Sequence, residues 1–161
     1  MKRIFTLLFC AIALAGCSEF EVGNVDGLII KYTTNDNAKA DIDTSLFDRW
    51  SVSHRYENGV GIIEFKKPIT SIPDKIFSYC NTLTSIELPG TITSIGEGAF
   101  KYCSRLKSVY CKAKTPPEGS SSMFSANASG RIINVPRESV DAYKTAEYWW
   151  SYADSIVGYD F

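Results

Sequence analysis

A hydrophobic pattern with a spacing of 23 residues constrains this chain of 161 residues more than any other feature of its sequence. Between residues 60 and 114, Phe77 is followed at that interval by Phe100, and Cys80 by Cys103. The other matching pairs are Ile69 and Ile92, Ile72 and Ile95, Tyr79 and Tyr102, Leu83 and Leu106, and Ile86 and Val109. A fixed period of about 20 to 29 residues is typical of a solenoid whose units each add a strand and a short helical turn. The sequence therefore predicts an α/β solenoid.

The strands of three successive units are expected at residues 60–65, 83–88 and 106–111, with short helical turns around Phe77 and Phe100. A further, degraded unit can be recovered when one extra residue is allowed. Its markers lie 24 residues after their counterparts, Phe124 after Phe100 and Ile133 after Val109. The repeat region is therefore predicted to span residues 60–135.

The segment before the repeats is predicted to close their N-terminal end. Residues 28–33 are rich in β-forming side chains and read as a strand. An Asn58-Gly59 pair between two β-prone runs predicts a hairpin, because both residues tolerate positive φ. We expect an N-terminal β cap over residues 28–59, with residues 60–65 forming the first strand of the solenoid ladder.

The segment behind the repeats is predicted to be a helical cap over residues 136–161. Pro136 is placed to open a helix, since proline is favoured at the first helical position. The residues at helical spacing that would form its apolar face are Val140, Tyr143 and Ala146. The aromatic segment that follows, up to Phe161, is expected to wrap the last unit.

The first residues have the character of an export signal. An apolar run over residues 4–15 follows two basic residues and has the length of a secretory signal rather than of a membrane span. It ends in Leu-Ala-Gly-Cys, which resembles the bacterial lipobox, so residues 1–16 are predicted to be a lipoprotein signal peptide and Cys17 the lipidated N-terminus. An ordinary signal peptide with an incidental cysteine is the alternative.

Residues 17–27 are predicted to form an acidic tether without regular structure. The run Ser18-Glu19-Phe20-Glu21 resembles the acidic stretch that marks surface export in some Gram-negative lipoproteins. A solvated linker is the alternative interpretation of this run. The preferred interpretation places the protein at the outer membrane, facing the cell exterior, with the periplasmic face as the alternative.

The most regular unit carries a family resemblance. Residues 92–106, Ile-Thr-Ser-Ile-Gly-Glu-Gly-Ala-Phe-Lys-Tyr-Cys-Ser-Arg-Leu, resemble the BspA-like leucine-rich repeat. Residues 135–143 and 156–161 are similar to the ending of short lipoproteins of that family. The resemblance implies a short leucine-rich-repeat solenoid of three to four units. It also implies adhesion or binding at a cell surface, since some long members are described as adhesins.

No catalytic or nucleic-acid-binding signal is found in the sequence. The 17 basic and 18 acidic residues give a net charge of −1, which provides no electrostatic footprint for nucleic acid. His54 is the only histidine and lies on a predicted strand, so a Ser/His/Asp or Cys/His arrangement cannot be assembled with it. We expect no enzymatic activity, no cofactor and no metal site.

Cys80 and Cys103 occupy equivalent positions in adjacent units, where a disulfide and a pair of buried thiols are both conceivable. Stacked side chains point in parallel directions, which suits a disulfide poorly. Buried thiols are therefore the preferred interpretation. Cys111 has an inward strand position and is expected in the core.

Outward positions on the strands define a candidate ligand face. If the strands stack at the repeat period, Glu64, Glu87 and Tyr110 form one outward column, and Ser85 and Ser108 belong to another. Such a face could contact a basic partner or the hydroxyl groups of a sugar. An ordinary solvated sheet surface is the alternative.

A second candidate surface is the aromatic run formed by Tyr148, Trp149 and Trp150. Exposed tyrosine and tryptophan side chains combine a large contact area with a polar group, so they favour partner binding or stacking on a sugar. Packing of these rings against the last unit is the competing interpretation.

Taken together, the signal, the tether and the repeats predict a non-catalytic surface module for adhesion or binding, held on the membrane by its N-terminal lipid. Its expected partners are a host or bacterial surface protein or a glycan. An accessory glycan-binding lipoprotein and a structural cell-envelope protein are the alternative functions.

Overall fold

The computed structural model describes residues 26–47 and 50–161, so Cys17, the signal-peptide segment and most of the tether lie outside the described residues. The strands of the described part are β1 (Ile29–Thr34), β2 (Ser51–Glu57), β3 (Val60–Phe65), β4 (Ser71–Ile72), β5 (Leu83–Leu88), β6 (Ser94–Ile95), β7 (Ser108–Cys111), β8 (Ile132–Pro136) and β9 (Ile156–Tyr159). It also contains an α-helix, α1 (Val140–Thr145), and 3₁₀ turns at Thr44–Leu46, Arg137–Ser139 and Trp149–Ser155.

Seven strands form one mixed sheet in the order β2-β3-β1-β5-β7-β8-β9. Its C-terminal half is parallel, and Ile86 pairs with Val109, Val109 with Ile133, and Ile133 with Ile156. The sequence separations of these partners are 23, 24 and 23 residues, so the repeat period is the step from one strand to the next. All four side chains are buried, and a slip by one residue would turn them out of the core.

The helical turns of the units stack in step with the strands. The rings of Phe77, Phe100 and Phe124 lie 5.3 and 5.2 Å apart between centroids, with planes inclined by only 12° and 13°. Backbone hydrogen bonds join the same levels, since the Phe77 N–H donates to the Ala99 carbonyl and the Phe100 N–H to the Met123 carbonyl, each at 2.9 Å. The degraded unit predicted around Phe124 is therefore confirmed.

A side chain at one repeated position ties each helical turn to the preceding one. Cys103 Sγ donates to the Phe77 carbonyl at 3.0 Å, and Asn127 Nδ2 donates to the Phe100 carbonyl at 2.6 Å. Asn127 Oδ1 also accepts from the half-buried Arg131 guanidinium at 3.1 Å. Asparagine therefore replaces cysteine in the third turn without loss of the cross-unit hydrogen bond.

Cys80, Cys103 and Cys111 are free thiols in the structure; Cys103 and Cys111 are buried as expected, whereas Cys80 is only half-buried. Burial raises the pKa of all three, that of Cys103 to about 12. Because the thiolate is the nucleophile and the metal ligand, these side chains are suited to packing rather than to chemistry.

The position of strand β1 contradicts the prediction that residues 60–65 form the first strand of the solenoid ladder. It runs antiparallel between β3 and β5 and pairs with both, so β3 does not begin the parallel ladder. The repeat period fixes the spacing of equivalent positions, whereas it carries no information about a strand that inserts from outside the repeat. Tyr32 of β1 packs 6.3 Å from Phe77 and over Gly61, where a Cβ atom would lie 2.0 Å from the tyrosine ring.

The hairpin predicted at Asn58-Gly59 joins β2 to β3 in the structure. Both residues have positive φ, 51° for Asn58 and 83° for Gly59, as the tight turn requires. The strand predicted at residues 28–33 is present as β1, shifted by one residue.

The C-terminal segment contains a helix and an additional strand, but the prediction that Pro136 opens the helix is wrong, because Pro136 ends β8, a 3₁₀ turn follows, and α1 begins at Val140 and ends before Ala146. Tyr143 of α1 is fully buried, in agreement with its predicted inward position. The expectation that the following segment only wraps the last unit is wrong for residues 156–159, because β9 pairs with β8 and extends the parallel sheet. Strand β9 was not predicted because a helical segment separates it from β8 in the sequence. Its residue Ile156 nevertheless follows its partner Ile133 by 23 residues.

Replacing Asn127 by alanine should lower the free energy of unfolding by about 2–3 kcal/mol, because it removes the bond to the Phe100 carbonyl and one partner of the half-buried Arg131. Chemical denaturation of the purified protein measures the change. Asn127→Cys, which introduces the side chain of the preceding unit, should recover part of the loss. The exposed Ser129→Ala serves as the control. Equal stability of the Asn127→Ala and control variants would contradict the cross-unit role.

Candidate functional site

The outward residues of β5, β7, β8 and β9 form a continuous surface, here named the outer face. Successive residues of a strand point to opposite sides of the sheet, so these positions alternate with the core residues. Strand pairing aligns them in two rows, Ser85, Ser108 and Ile132 in one, and Glu87, Tyr110, Asn134 and Val157 in the other. The predicted alignments of Ser85 with Ser108 and of Glu87 with Tyr110 are present.

The end of the outer face nearest β1 is polar. The hydroxyl oxygens of Thr33 and Ser85 lie 2.6 Å apart and share a hydrogen bond. Glu87 forms an ion pair with Lys112, and Lys31 of β1 lies opposite Glu87 in the strand register. This end therefore combines hydroxyl groups with a carboxylate that is paired with Lys112, just after β7, and lies opposite Lys31 of β1 in the strand register.

Glu64 does not belong to the column predicted for it. Because β1 lies between β3 and β5, Glu64 is in register with Ile29, and it is Ile62 that shares a row with Lys31 and Glu87. The Arg55 guanidinium binds both oxygens of Glu64, at 2.7 and 2.9 Å, and holds the pKa of that carboxyl below its usual range. Glu64 is therefore bound by Arg55 and separated from Glu87 by β1.

The C-terminal end of the outer face carries an exposed apolar group of which only Tyr110 was predicted as a site residue. We call it the aromatic cluster, and it consists of Tyr110, Ile132, Val157, Tyr159 and Phe161. The Tyr159 ring lies 5.3 Å from Tyr110 and 5.0 Å from Phe161 between centroids. All members except the half-buried Tyr110 expose between 40% and 51% of their surface.

The border of the aromatic cluster is charged. Arg137 forms a two-bonded ion pair with Asp160, at 2.9 and 2.8 Å, and Lys112 Nζ lies 5.9 Å from the centre of the Phe161 ring. A signal for this cluster was available in the sequence, since Val157 and Tyr159 alternate with the buried Ile156. It was missed because the segment was not interpreted as a strand.

The predicted aromatic run does not form a single exposed patch. Trp149 is fully buried, and its indole Nε1–H donates to the Pro117 carbonyl at 2.7 Å. Tyr148 and Trp150, by contrast, are 37% and 64% exposed. Trp149 is thus a core residue, as the competing packing interpretation proposed, because Tyr148 turns the chain with a left-handed φ of 64° and directs the next ring inward.

His54 is occupied by a structural hydrogen bond. The Tyr32 hydroxyl accepts from the Ala40 N–H at 3.0 Å and shares a hydrogen bond with His54 Nε2 at 2.7 Å. Burial, together with nearby Lys39, lowers the pKa of His54 to about 4, so the imidazole is neutral near pH 7. This arrangement orders the N-terminal segment and offers no free general base.

Metal-binding groups and membrane-spanning helices are both absent from residues 26–47 and 50–161. No group of three or more histidine, cysteine, aspartate or glutamate side chains there is arranged to hold a metal ion. None of the helices in these two ranges is long and apolar enough to cross a membrane.

Comparison with known families agrees with the stacked units. The model of the BspA type leucine rich repeat region, in six copies, matches residues 55–148, which is more than half of the chain. The chain belongs to this family. BspA-type repeats are leucine-rich repeats, which generally form non-catalytic, protein-binding domains. No curated protein matches the chain significantly.

Stability of this BspA-type domain should fall as the pH is lowered from about 6.5 to about 4. In that range the unfolded chain protonates His54 while the folded chain resists protonation, so the unfolded state binds more protons and is stabilised relative to the folded state. After allowance for solvent screening, we expect a loss of about 1–2 kcal/mol.

Chemical denaturation at pH 7 and at pH 4.5 measures this loss for the wild type and for His54→Gln. Glutamine can still accept from Tyr32 through its amide oxygen but does not titrate. The difference between the two proteins isolates His54 from the carboxylates, which also titrate at acidic pH. Identical pH dependence of both proteins would contradict the assignment.

Proposed function

We propose that the protein is a membrane-anchored binding module that uses the outer face to contact a partner protein at the cell surface. The aromatic cluster carries this proposal. An exposed group of tyrosine, phenylalanine and aliphatic side chains bordered by charges has the composition of a protein interface, in which aromatic residues supply most of the binding energy. Family membership supports the same class of function.

The two ends of the outer face have complementary roles in this proposal. Tyr159 and Phe161 provide apolar area, while Ser85, Ser108 and Glu87 provide hydrogen-bonding groups beside it. Polar groups next to an apolar centre set the orientation of a partner and contribute less to the affinity. Glu64 has no part in this surface, since it lies on β3, which β1 separates from the outer face.

Anchoring through a lipid on Cys17 is the second part of the proposal. It is supported by the lipobox-like sequence before Cys17 and by the acidic residues of the tether. Two acyl chains are enough for stable membrane attachment, since each buried methylene contributes about 0.8 kcal/mol. The acidic run favours the outer surface of the outer membrane, where adhesion would take place.

Loss of the aromatic cluster should abolish partner capture without unfolding the protein. The test is a pull-down from surface-labelled cells and from host matrix with the wild type and the double variant Tyr159→Ser/Phe161→Ser. We expect at least about a tenfold loss of captured protein, because truncation of interface aromatics commonly costs 2 kcal/mol or more. Leu46→Ser, which changes an exposed apolar residue outside the outer face, is the matched control. Equal capture by both variants would refute the assignment of the surface.

Cys17→Ser should release the protein from the membrane fraction, because serine cannot receive the thioether-linked lipid. Protease treatment of intact cells should remove the wild-type protein if it faces the exterior. Retention of the variant in the membrane fraction would contradict lipid anchoring. Complete protection of the wild type would contradict surface display.

Glycan binding is a second candidate function, favoured by the exposure of Tyr148 and Trp150, which flank the buried Trp149 in the sequence. Aromatic rings of this kind can stack on the apolar face of a sugar. Trp150→Ala should then remove a change in tryptophan fluorescence caused by oligosaccharides. The absence of such a change in the wild type would exclude this candidate.

A further inference from the structure

Strand β9 forms one border of the seven-stranded sheet, and its backbone is open on one side. Within the described part of the chain, β9 pairs with β8 and with no other strand. The side that faces away from β8, here called the free edge, therefore presents N–H and C=O groups without a strand partner. Such groups are satisfied by another extended chain, as they are inside a sheet. The chemistry of the free edge therefore specifies a β-strand as its occupant.

The opposite border of the sheet, β2, is protected against such pairing, whereas β9 carries none of the same devices. The register of β2 with β3 shifts between Ser51 and Ser53, and Arg55 forms an ion pair with Glu57 of the same strand at 3.1 Å. Irregular pairing and charged side chains are common means by which edge strands avoid association. Residues 156–159, Ile-Val-Gly-Tyr, contain no charge and no proline, and their register with β8 is regular. The two borders therefore differ in the properties that control edge pairing.

The inner side of β9 is covered by the chain itself, whereas its outer side is open. Ile156 is buried, and a Cβ atom at Gly158 would lie 3.2 Å from the Cα atom of Arg137. On the outer side, Val157 and Tyr159 are 40% and 42% exposed. A strand that joins the free edge would therefore extend the outer face, where its side chains would meet those of the aromatic cluster.

A second copy of this chain fits the free edge in an antiparallel register. Opposed residues of an antiparallel pair point to the same side of the sheet, so a two-fold axis through Gly158 sets Val157 of each copy opposite Tyr159 of the other. A β-branched residue opposite an aromatic one is a favourable cross-strand pair. Gly158 has no side chain that could obstruct the approach at the axis. The charges beside β9, those of Arg137 and Asp160, are bound to each other, so they add little repulsion between identical edges.

We propose that two copies of the protein associate through their free edges and form one continuous sheet. The two aromatic clusters then adjoin across the two-fold axis and make a single larger apolar surface on the joined outer faces. Because β9 has only four residues, the interface is small and the association is expected to be weak, with a dissociation constant in the micromolar to millimolar range. This self-association goes beyond the proposed function and does not depend on it.

The test measures molar mass by analytical ultracentrifugation on the protein prepared without lipid as Cys17→Ser, here called the parent. The molar mass of the parent should double as its concentration is raised to the millimolar range. The charge variants Val157→Lys/Tyr159→Lys and Val157→Glu/Tyr159→Glu should each stay monomeric, because like charges oppose each other across the axis. An equimolar mixture of the two charge variants should form a heterodimer, since each lysine then faces a glutamate. Formation of this heterodimer also shows that both variants fold.

The control variant Leu46→Lys/Tyr79→Lys adds the same charge at exposed positions on other elements and should associate as the parent does. A parent that stays monomeric up to millimolar concentration would overturn the proposal. Dimers of either charge variant alone, or equal weakening in the control, would overturn it as well. If the parent is monomeric and Val157→Lys/Tyr159→Lys fails to capture protein in the pull-down, the free edge belongs to a strand of the partner protein instead.

Cysteine cross-linking tests the register in the parent with the additional change Cys80→Ser. Under mild oxidation, a mixture of Val157→Cys and Tyr159→Cys should form a disulfide-linked dimer, because opposed residues of antiparallel strands lie within the range of a disulfide. Each variant alone should remain largely uncoupled. Coupling of Val157→Cys with itself would move the axis to Val157 and overturn the proposed register. Because capture of a partner is measured separately, failure of self-association leaves the proposed binding function to its own test.

Discussion

The fold depends on the agreement of two distances between neighbouring units, that between their strands and that between their phenylalanine rings. Neighbouring strands are spaced by about 4.8 Å, and the phenylalanine rings of successive helical turns follow at 5.3 and 5.2 Å. Each unit must therefore deliver one strand and one ring at the same level, which limits how far its length can vary. The single extra residue before Phe124 is tolerated because the ring and the paired strand residue shift together along the sequence.

This constraint explains why much of the fold could be predicted from the sequence. The repeat period predicts that Ile86, Val109 and Ile133 lie side by side on neighbouring strands. The turn at Asn58-Gly59 could be predicted because few residues adopt a positive φ. Strand β1 could not be placed in the same way, since its sequence contains no copy of the repeat. Its insertion between β3 and β5 is decided by packing around Tyr32, and that packing is a property of the assembled core.

The same distinction separates the correct and incorrect parts of the candidate site. Ser85 and Ser108 lie on consecutive repeat strands, so their alignment follows from the period. The position of Glu64 depends on where β1 inserts in the sheet, which the sequence does not predict. The burial of Trp149 depends on the backbone turn at Tyr148.

The double pairing of β1 also has a mechanical consequence. The chain before Asp26 continues directly into this strand, and the carboxylate of Asp26 accepts a hydrogen bond from the Gly90 N–H, so any load on the N-terminal segment enters the domain there. Because β1 is bonded along both edges, such a load is shared between two hydrogen-bonded ladders. An edge strand could be peeled away from a single neighbour, whereas β1 can leave only if both ladders open.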